Sequence, residues 1–458
     1  MSAKPTPLSG FPELLPAQRV VEQQVIDILR TTFELHGFAG IETRAVEPLD
    51  QLLRKGDTSK EVYVLRRLQE ESAEGHAGMG LHFDLTVPFA RYVLENAGKL
   101  EFPFRRYQIQ KVWRGERPQE GRYREFLQAD VDVIGRDSLG FHHDVEVTRV
   151  MVDALTRLDF LPRFRLQVNN RKLIQGFYLG LGVSDTDEVM RLVDKLDKLP
   201  TEKVHELLTT EGGIDAATAD RVLALATIAT DDDSFVGKVQ ALGVEHPLLA
   251  EGLDELARLV RGVADLAGDR VTVTADLSIA RGLDYYTGTV FETRLEGYES
   301  MGSICSGGRY DALASDGRTT YPGVGISLGV SRVVVPLIAK TGIRADRSVP
   351  SAVLVALTDE ESRPASEAVA TALRGRGIPC EVAPSAQKFG KQIRHAERRG
   401  IPFVWFPRNP DEPGSADQVK DIRSGEQFAA DPQTWEPPSE DLRPRITRTT
   451  TSPKETPK

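Results

Sequence analysis

Two stretches of alternating apolar and polar residues, Tyr107–Val112 and Ala129–Ile134, flank a long polar loop crowded with arginine. Period-two alternation marks half-buried strands, so the pair predicts an antiparallel hairpin whose charge is concentrated on the connecting loop. Between Arg105 and Arg124 seven basic residues stand against two acidic ones, Glu116 and Glu120. A solvated face can look like this, but interleaving with strand-like apolar residues favours a polyanion site. The formal net charge of −10 argues against a protein that coats nucleic acid along its length, and any such contact would be local.

The hairpin is a small part of a chain of 458 residues, a length that suggests two or three domains. From Ala17 to His36 the residues Val21, Val25, Leu29 and Phe33 recur every four positions, which predicts an amphipathic helix ending near Gly37. A short extended piece, Gly40–Arg44, leads to Pro48. From about Asn170 to Gly268 helix-period segments such as Glu188–Leu199 and Ala216–Thr227 dominate, broken at Pro200, Gly212–Gly213 and Pro247. Strands return at Val271–Ala275 and Asp284–Leu295, and Gly323–Lys340 reads as a glycine-rich strand passing into a helix that carries Arg332. Beyond Val349 strand-like and helical segments alternate with short loops, the pattern of a small open α/β domain. The stretch after Pro437 is rich in Pro, Ser, Thr and charge, and is expected to be disordered. No apolar run approaches the roughly 20 residues a membrane helix needs, and Met1–Gly10 lacks the apolar core of a secretory signal. Two cysteines, Cys305 and Cys380, make neither a disulfide framework nor a zinc cluster and suit a reducing cytoplasm.

The loop itself has the residue types a nucleoside triphosphate would need if attacked at its α-phosphate. Such a site wants a fixed arginine on the α-phosphate, further cations for the outer phosphates and an apolar face for the base. Arg114 at the strand end, Arg122 and Arg124 on the returning loop, and Phe126 supply these in order, while no lysine-bearing phosphate loop occurs elsewhere.

The run Arg114-Gly115-Glu116, followed by Gly121-Arg122-Tyr123-Arg124-Glu125-Phe126, resembles motif 2 of class II aminoacyl-tRNA synthetases in the form used by their histidine branch. The helix before Pro48 resembles motif 1, a dimer interface, and Gly325–Arg332 resembles motif 3. Arg281-Gly282-Leu283-Asp284-Tyr285-Tyr286 and Ser306-Gly307-Gly308-Arg309-Tyr310-Asp311 look like that branch's two histidine-specific motifs. The resemblance covers about residues 8–430. It implies an α+β fold: a class II antiparallel sheet of six or seven strands with flanking helices, a helical insertion and a C-terminal α/β anticodon-binding domain. Residues 1–169 would be the catalytic domain with motifs 1 and 2, 170–268 the insertion, and 269–345 the catalytic domain continued. The anticodon-binding domain would occupy 350–430, with a disordered tail at 437–458.

The implied activity is ATP-dependent ligation of L-histidine to its tRNA through a histidyl-adenylate, with Mg²⁺ on the phosphates and transfer to the terminal 3′-hydroxyl. Implied catalytic residues are Arg281 and Arg114, and ATP would be held by Arg114, Glu116, Arg122, Arg124, Phe126 and Arg332. Histidine would be held by Asp84, Thr86 and Gln128 at its α-amino group and by Asp132 and Tyr286 at the ring nitrogens. Arg281, Tyr285, Gly307 and Gly308 would complete the site, and no residue is assigned to a metal. A neutral imidazole offers one donor and one acceptor nitrogen, so a pocket with the complementary pair is chemically sensible. The implied partners are the histidine tRNA and a second copy of the chain, in the cytoplasm, with no membrane. In the C-terminal domain Lys388-Phe389-Gly390-Lys391-Gln392 and Arg398-Arg399 form a basic patch that reads alone as a solvated helix and in this setting as RNA contact.

Two positions depart from the pattern. His82 stands where many members carry arginine, and it reads equally as a core histidine or a functional one. Ser331 replaces the glutamate usual before the motif 3 arginine. The rival reading is a non-catalytic regulatory paralogue of the same fold that acts in control of histidine biosynthesis. Such proteins tend to lose the catalytic arginines and the C-terminal domain, which this chain retains.

Overall fold

The computed structural model describes residues 6–53, 61–68, 78–279, 286–408 and 414–448. The chain divides into two compact units, Met1–Pro12 with Val25–Pro336 and Glu13–Gln24 with Leu337–Lys458.

The first unit is built on a nine-stranded sheet. Its strands are β1 (Ala39–Gly40), β2 (Phe104–Trp113), β3 (Glu125–Ile134), β4 (Phe164–Asn170), β5 (Ala229–Thr230), β6 (Val271–Asp276), β7 (Thr289–Leu295), β8 (Cys305–Tyr310) and β9 (Gly323–Gly329). They lie in the order β1-β2-β3-β9-β8-β7-β4-β6-β5. Every pairing from β2 across to β4 is antiparallel. The sheet is wider than the six or seven strands expected, and it is not wholly antiparallel, since β1 pairs with β2 and β4 with β6 in parallel. Parallel neighbours need a crossover connection, and long segments separate both pairs. The strand expected from Asp284 begins at Thr289, with residues 286–288 irregular.

Helix α1 (Pro16–Leu35) belongs to the second unit up to Gln24 and to the first from Val25, and α2 (Thr86–Asn96) and α3 (His142–Thr156) belong to the first. As the spacing predicts, Val21, Val25, Leu29 and Phe33 of α1 are all buried. They are buried within one chain, so that apolar stripe is not by itself a sign of a second subunit.

Between β4 and β6 stand α4 (Arg171–Gly180), α5 (Thr186–Val193), α6 (Thr201–Thr210), α7 (Ala216–Ala226), α8 (Phe235–Ala241) and α9 (Pro247–Gly262). Asn170 caps α4, its side chain accepting from the Lys172 amide. The α4–α9 contact depends on glycine on both sides. A Cβ on Gly176 would lie 2.1 Å from the Leu249 nitrogen, and one on Gly252 2.1 Å from the Leu173 nitrogen.

The second unit receives α10 (Val330–Thr341), which begins in the first, and contains α11 (Arg363–Gly375) and α12 (Phe389–Arg399). Its sheet has strands β10 (Val353–Val355), β11 (Cys380–Val382), β12 (Phe403–Phe406), β13 (Gln418–Asp421) and β14 (Gln427–Ala429), in the order β11-β10-β12-β13-β14. Strands β11, β10 and β12 are parallel, whereas β13 and β14 run antiparallel to their neighbours, and a parallel arrangement needs cover on both faces. Val353, Val355, Phe403 and Trp405 pack with Val369 and Leu373 of α11, whereas Leu354 and Val404 pack with Ala396 of α12.

The tail expected to be disordered from 437 is ordered as far as 448. Asp441 is buried, Leu442 packs on the core, and Ile446–Arg448 pairs with Ile343–Ala345. Arg347 Nη1 donates to the Asp441 carbonyl at 2.8 Å. Composition missed this because one buried carboxylate and one strand pairing organise an otherwise polar segment. Residues 449–458 lie outside the described residues.

Candidate functional site

The hairpin expected from alternation is present over ten residue pairs, Phe104↔Ile134 to Trp113↔Glu125. Its loop is closed on itself. The Arg114 amide donates to the Arg124 carbonyl at 2.9 Å, and Gln119 and Arg122 exchange main-chain hydrogen bonds of 3.1 and 2.9 Å. The turn between them places Gly121 at φ +70°, a conformation that favours glycine.

On β3, the side chains of Gln128, Asp130 and Asp132 share a face because they alternate. Opposite them on β9 stand Gly329, Ser327 and Gly325, and opposite these on β8 Ser306 pairs with Ser327 and Gly308 with Gly325. Small residues on β8 and β9 therefore leave the polar side chains of β3 room above the sheet. The cleft over this floor encloses about 760 Å³ of empty space, open solvent included.

Nine of the residues anticipated from sequence line that cleft: Asp84, Thr86, Arg114, Glu116, Arg122, Phe126, Gln128, Tyr286 and Arg332. Arg114 Nε donates to the Phe83 carbonyl at 3.0 Å and its guanidinium lies 5.2 Å from the Phe126 ring centre. Arg122 is 3.8 Å from the Glu116 carboxylate. Arg332 joins two sides of the cleft, its Nε donating to the Gly121 carbonyl at 2.9 Å and its Nη1 to the Ser303 carbonyl at 2.5 Å. Asp84 Oδ1 accepts from the Val87 amide at 3.1 Å, which fixes it against the first turn of α2. Gln128 Nε2 donates to Asp130 Oδ1 at 2.9 Å and to Ser327 Oγ at 3.4 Å.

Four anticipated residues are not on the lining. Arg124 Nε donates to the Glu116 carbonyl at 3.3 Å, and its stem packs where a Cβ on Gly10 would be, so it braces the loop. Asp132 is buried beside the cleft on the same face of β3, its Oδ2 2.7 Å from Arg106 Nη2 and its Oδ1 accepting from the Tyr310 hydroxyl at 2.7 Å. Gly307 and Gly308 are buried in β8. A Cβ on Gly307 would meet the Gly325 carbonyl at 2.1 Å, and one on Gly308 the Tyr286 ring at 2.7 Å. In this structure the two glycines make room for a neighbouring strand and for Tyr286. Arg281 and Tyr285 lie outside the described residues.

Burial raises the Tyr286 hydroxyl above the ordinary tyrosine value, and Asp132, Asp130 and Asp84 add to the rise, so it keeps its proton as a donor. Burial likewise pushes the Asp130 carboxyl up to about 7, against the pull of Arg106 and with the help of Asp132.

Several residues of the site were given no role by the sequence reading, although Tyr123, Ser306 and Tyr310 stand within its motifs. Tyr123, Ser303, Ile304, Ser306 and Ser327 also line the cleft. Tyr310 holds Asp132, and Arg106 was hidden in the basic run although it is 0 % exposed. The available signal was the match of two period-two rows, Arg106-Gln108 on one strand and Gln128-Asp130-Asp132 on the other. Arg309 is structural: its Nη2 lies 2.5 Å from Asp144 Oδ2, and it donates to the Leu139 and Gly140 carbonyls at 3.2 and 3.3 Å.

In the second unit Lys391, Arg394 and Arg398 are exposed and border a separate cleft of about 920 Å³ with His395, Gln387 and Pro384. Two members of the expected patch are occupied differently. Gln392 makes paired bonds to the Leu357 main chain at 2.9 and 2.7 Å, and Arg399 is bonded to Glu381 and His395.

Residues 10–333 match the family model described as "Histidyl-tRNA synthetase", and residues 334–406 match "Anticodon binding domain". The chain is 59 % identical over 452 residues to a histidine–tRNA ligase of Cutibacterium acnes, covering 97 % of this chain and 99 % of that one. It resembles the crystal structure of histidyl-tRNA synthetase from Nostoc sp. PCC 7120 with a TM-score of 0.82, at 33 % identity and with 94 % and 97 % of the two chains covered. A Bacillus halodurans protein described as an ATP phosphoribosyltransferase regulatory subunit/histidyl-tRNA synthetase shares the fold at a TM-score of 0.70 and 20 % identity, over 86 % of this chain and 96 % of that one.

Proposed function

Because this chain belongs to the histidyl-tRNA synthetase family, we propose that it activates L-histidine with ATP and transfers it to the histidine tRNA, acting in the cytoplasm. The observation that carries this reading is a single cleft lined by Arg114, Arg122 and Phe126 together with Asp84, Gln128 and Tyr286. A regulatory paralogue has no need of the phosphate-binding half, nor of a domain matching the anticodon-binding model.

In the first step a histidine carboxylate oxygen attacks the α-phosphorus, forming the adenylate as the bond to pyrophosphate breaks. Arg114 and Arg281 would flank the α-phosphate and neutralise charge in the transition state. Arg122 takes the outer phosphates, while Phe126 and Arg332 bracket the adenine. Arg124 serves the same site indirectly, by bracing the loop through the Glu116 carbonyl. Asp84, Thr86 and Gln128 receive the α-amino group. Tyr286 donates to one ring nitrogen and Asp132 accepts from the other, while Tyr285, Gly307 and Gly308 shape the pocket. In the second step the terminal ribose 3′-hydroxyl attacks the acyl carbon and AMP leaves.

The carboxylates on the described lining are Asp84 and Glu116, and Asp84 already meets a helix amide. That donor set fits Mg²⁺ carried on substrate phosphates and water, with Glu116 the carboxylate beside it. The ion, when bound, offsets the charge of the outgoing phosphates.

Residues 1–169 and 269–345 would form the catalytic domain, 170–268 an insertion that contacts the acceptor arm, and 350–430 the anticodon-binding domain. A homodimer through motif 1 completes the assembly, which light scattering on the full chain would test.

Histidine-dependent exchange of labelled pyrophosphate into ATP tests the function. Exchange should occur with histidine and no other amino acid, and Arg281→Ala should lower it by about 10²-fold or more, roughly 3 kcal/mol of transition-state stabilisation. No exchange with any amino acid would move the assignment to the regulatory paralogue.

A further inference from the structure

Beside the cleft, on the same face of the sheet, lies a buried charge to which neither step assigns a role. Arg106 on β2 is wholly buried, and a guanidinium taken out of water costs several kcal/mol unless it is paired. Its Nη2 lies 2.7 Å from Asp132 Oδ2 and 3.7 Å from Asp130 Oδ2. The same nitrogen donates to the Leu85 carbonyl at 3.4 Å, and Nη1 donates to Gln108 Oε1 at 3.3 Å. The guanidinium carbon stands 4.3 Å from the Phe89 ring centre, which closes one face of the group. Two carboxylates thus share one cation in a site from which water is excluded.

Three of these contacts, to Asp132, Asp130 and Leu85, lead into the proposed histidine pocket. Asp132 is one of its ring partners. Asp130 accepts from Gln128 Nε2, and Leu85 lies between Asp84 and Thr86. One buried guanidinium therefore touches, directly or through one neighbour, the parts assigned to the ring and to the α-amino group. Among the described residues the polar contacts of Arg106 itself are with Asp132, Asp130, Gln108 and Leu85, none of them assigned to ATP.

We propose that Arg106 is the positioning residue of the histidine pocket: from the buried side of the pocket it orients Asp132, divides its charge between Asp132 and Asp130, and holds the Asp84–Thr86 segment through Leu85. The proposal rests on the reading of this cleft as a histidine site. Charge division follows from geometry, because two carboxylates facing one guanidinium cannot both be fully compensated. The titratable and charged groups about Asp130 are Arg106 on β2, Asp132 on its own strand, Tyr310 on β8 and Tyr286 beside it. Burial favours the neutral form of Asp130, so Arg106 is committed to Asp132 while Asp130 is protonated and is shared when it ionises.

Calorimetric binding of L-histidine and of ATP to the full chain tests this. Arg106→Met with Asp130→Leu removes the guanidinium and, above the pH at which Asp130 ionises, keeps the cluster's charge, so binding is compared at about pH 8. The double variant should weaken histidine binding by about tenfold or more and ATP binding by no more than about twofold, the signature of a local coupling. Asp130→Asn is near-isosteric and guards against misfolding of the double variant. Its histidine affinity relative to wild type should change between about pH 6 and about pH 8, as expected when wild type titrates there and the variant does not. Taking the ratio cancels the substrate's own titration. Unchanged histidine affinity in the double variant with a pH-independent ratio, or equal losses of histidine and ATP binding, would overturn the role of Arg106 and leave the pocket standing. Failure of wild type to bind histidine would remove the pocket reading itself.

Discussion

At the scale of single residues, His82 shows how a departure from family pattern is absorbed. Its ring is 0 % exposed, its Nε2 lies 2.7 Å from the Lys111 carbonyl, and it stacks on Trp113 at 5.6 Å. Its carbonyl accepts from the Trp113 amide at 3.1 Å, and the next carbonyl, of Phe83, accepts from Arg114 Nε at 3.0 Å. Three stitches thus tie the strand leading to Asp84 to the end of β2 that carries Arg114. Burial lowers the imidazole's affinity for a proton, and a neutral ring with its proton on Nε2 satisfies the Lys111 carbonyl. The unfolded chain takes up a proton near pH 6.5 that the folded chain refuses until lower pH, so this site's contribution to stability falls as pH falls below about 6.5. Urea denaturation should show a weaker acid destabilisation for His82→Gln than for wild type between about pH 7 and about pH 5. A second residue-scale prediction concerns Gly325, where a Cβ would lie 2.1 Å from Asp132 Oδ1. Gly325→Ala should cost about 1–3 kcal/mol of stability and raise the histidine KM in pyrophosphate exchange, because Asp132 has to move.

At the scale of elements, the join between hairpin and motif 3 depends on Ser331. Its hydroxyl accepts from the Leu127 amide of β3 at 2.9 Å, and the residue is buried at the start of α10. A serine thus does structural work where the family pattern has glutamate. Ser331→Ala would leave that amide without its acceptor, at a cost of about 1–3 kcal/mol, readable as a lower urea midpoint with unchanged m-value. Register matters in the same way. Because β3, β9 and β8 are antiparallel and in phase, Gln128, Asp130 and Asp132 meet only small residues across the sheet, and a slip of one residue would turn this polar row to the other face.

At the scale of the molecule, the two units have separate cores and different sheet logic, one mainly antiparallel and one with three parallel strands on one side and two antiparallel ones on the other. The exposed row Lys391, Arg394 and Arg398 belongs to the second unit, and residues 334–406 match the anticodon-binding model. Arg394→Glu with Arg398→Glu should therefore reduce tRNA charging by about tenfold more than it reduces pyrophosphate exchange, with a shallower salt dependence of tRNA binding. Much of this molecule was legible in its sequence, namely the hairpin with its arginine loop, the amphipathic α1, the run of helices before β6 and the alternating elements after Val349. These follow from period and residue type, which act over a few positions and need no knowledge of distant partners. Tertiary structure alone decided that Arg124 braces the loop while Arg122 lines the cleft, and that Asp132 is buried beside the cleft while Tyr286 lines it. It also decided that Gly308 accommodates a tyrosine ring, that Arg106 is an interior charge, and that the polar segment to residue 448 is anchored. The reason is common to all of these. Each depends on which residues from remote strands are brought opposite one another and shielded from water, and neither register nor burial is a local property of the chain.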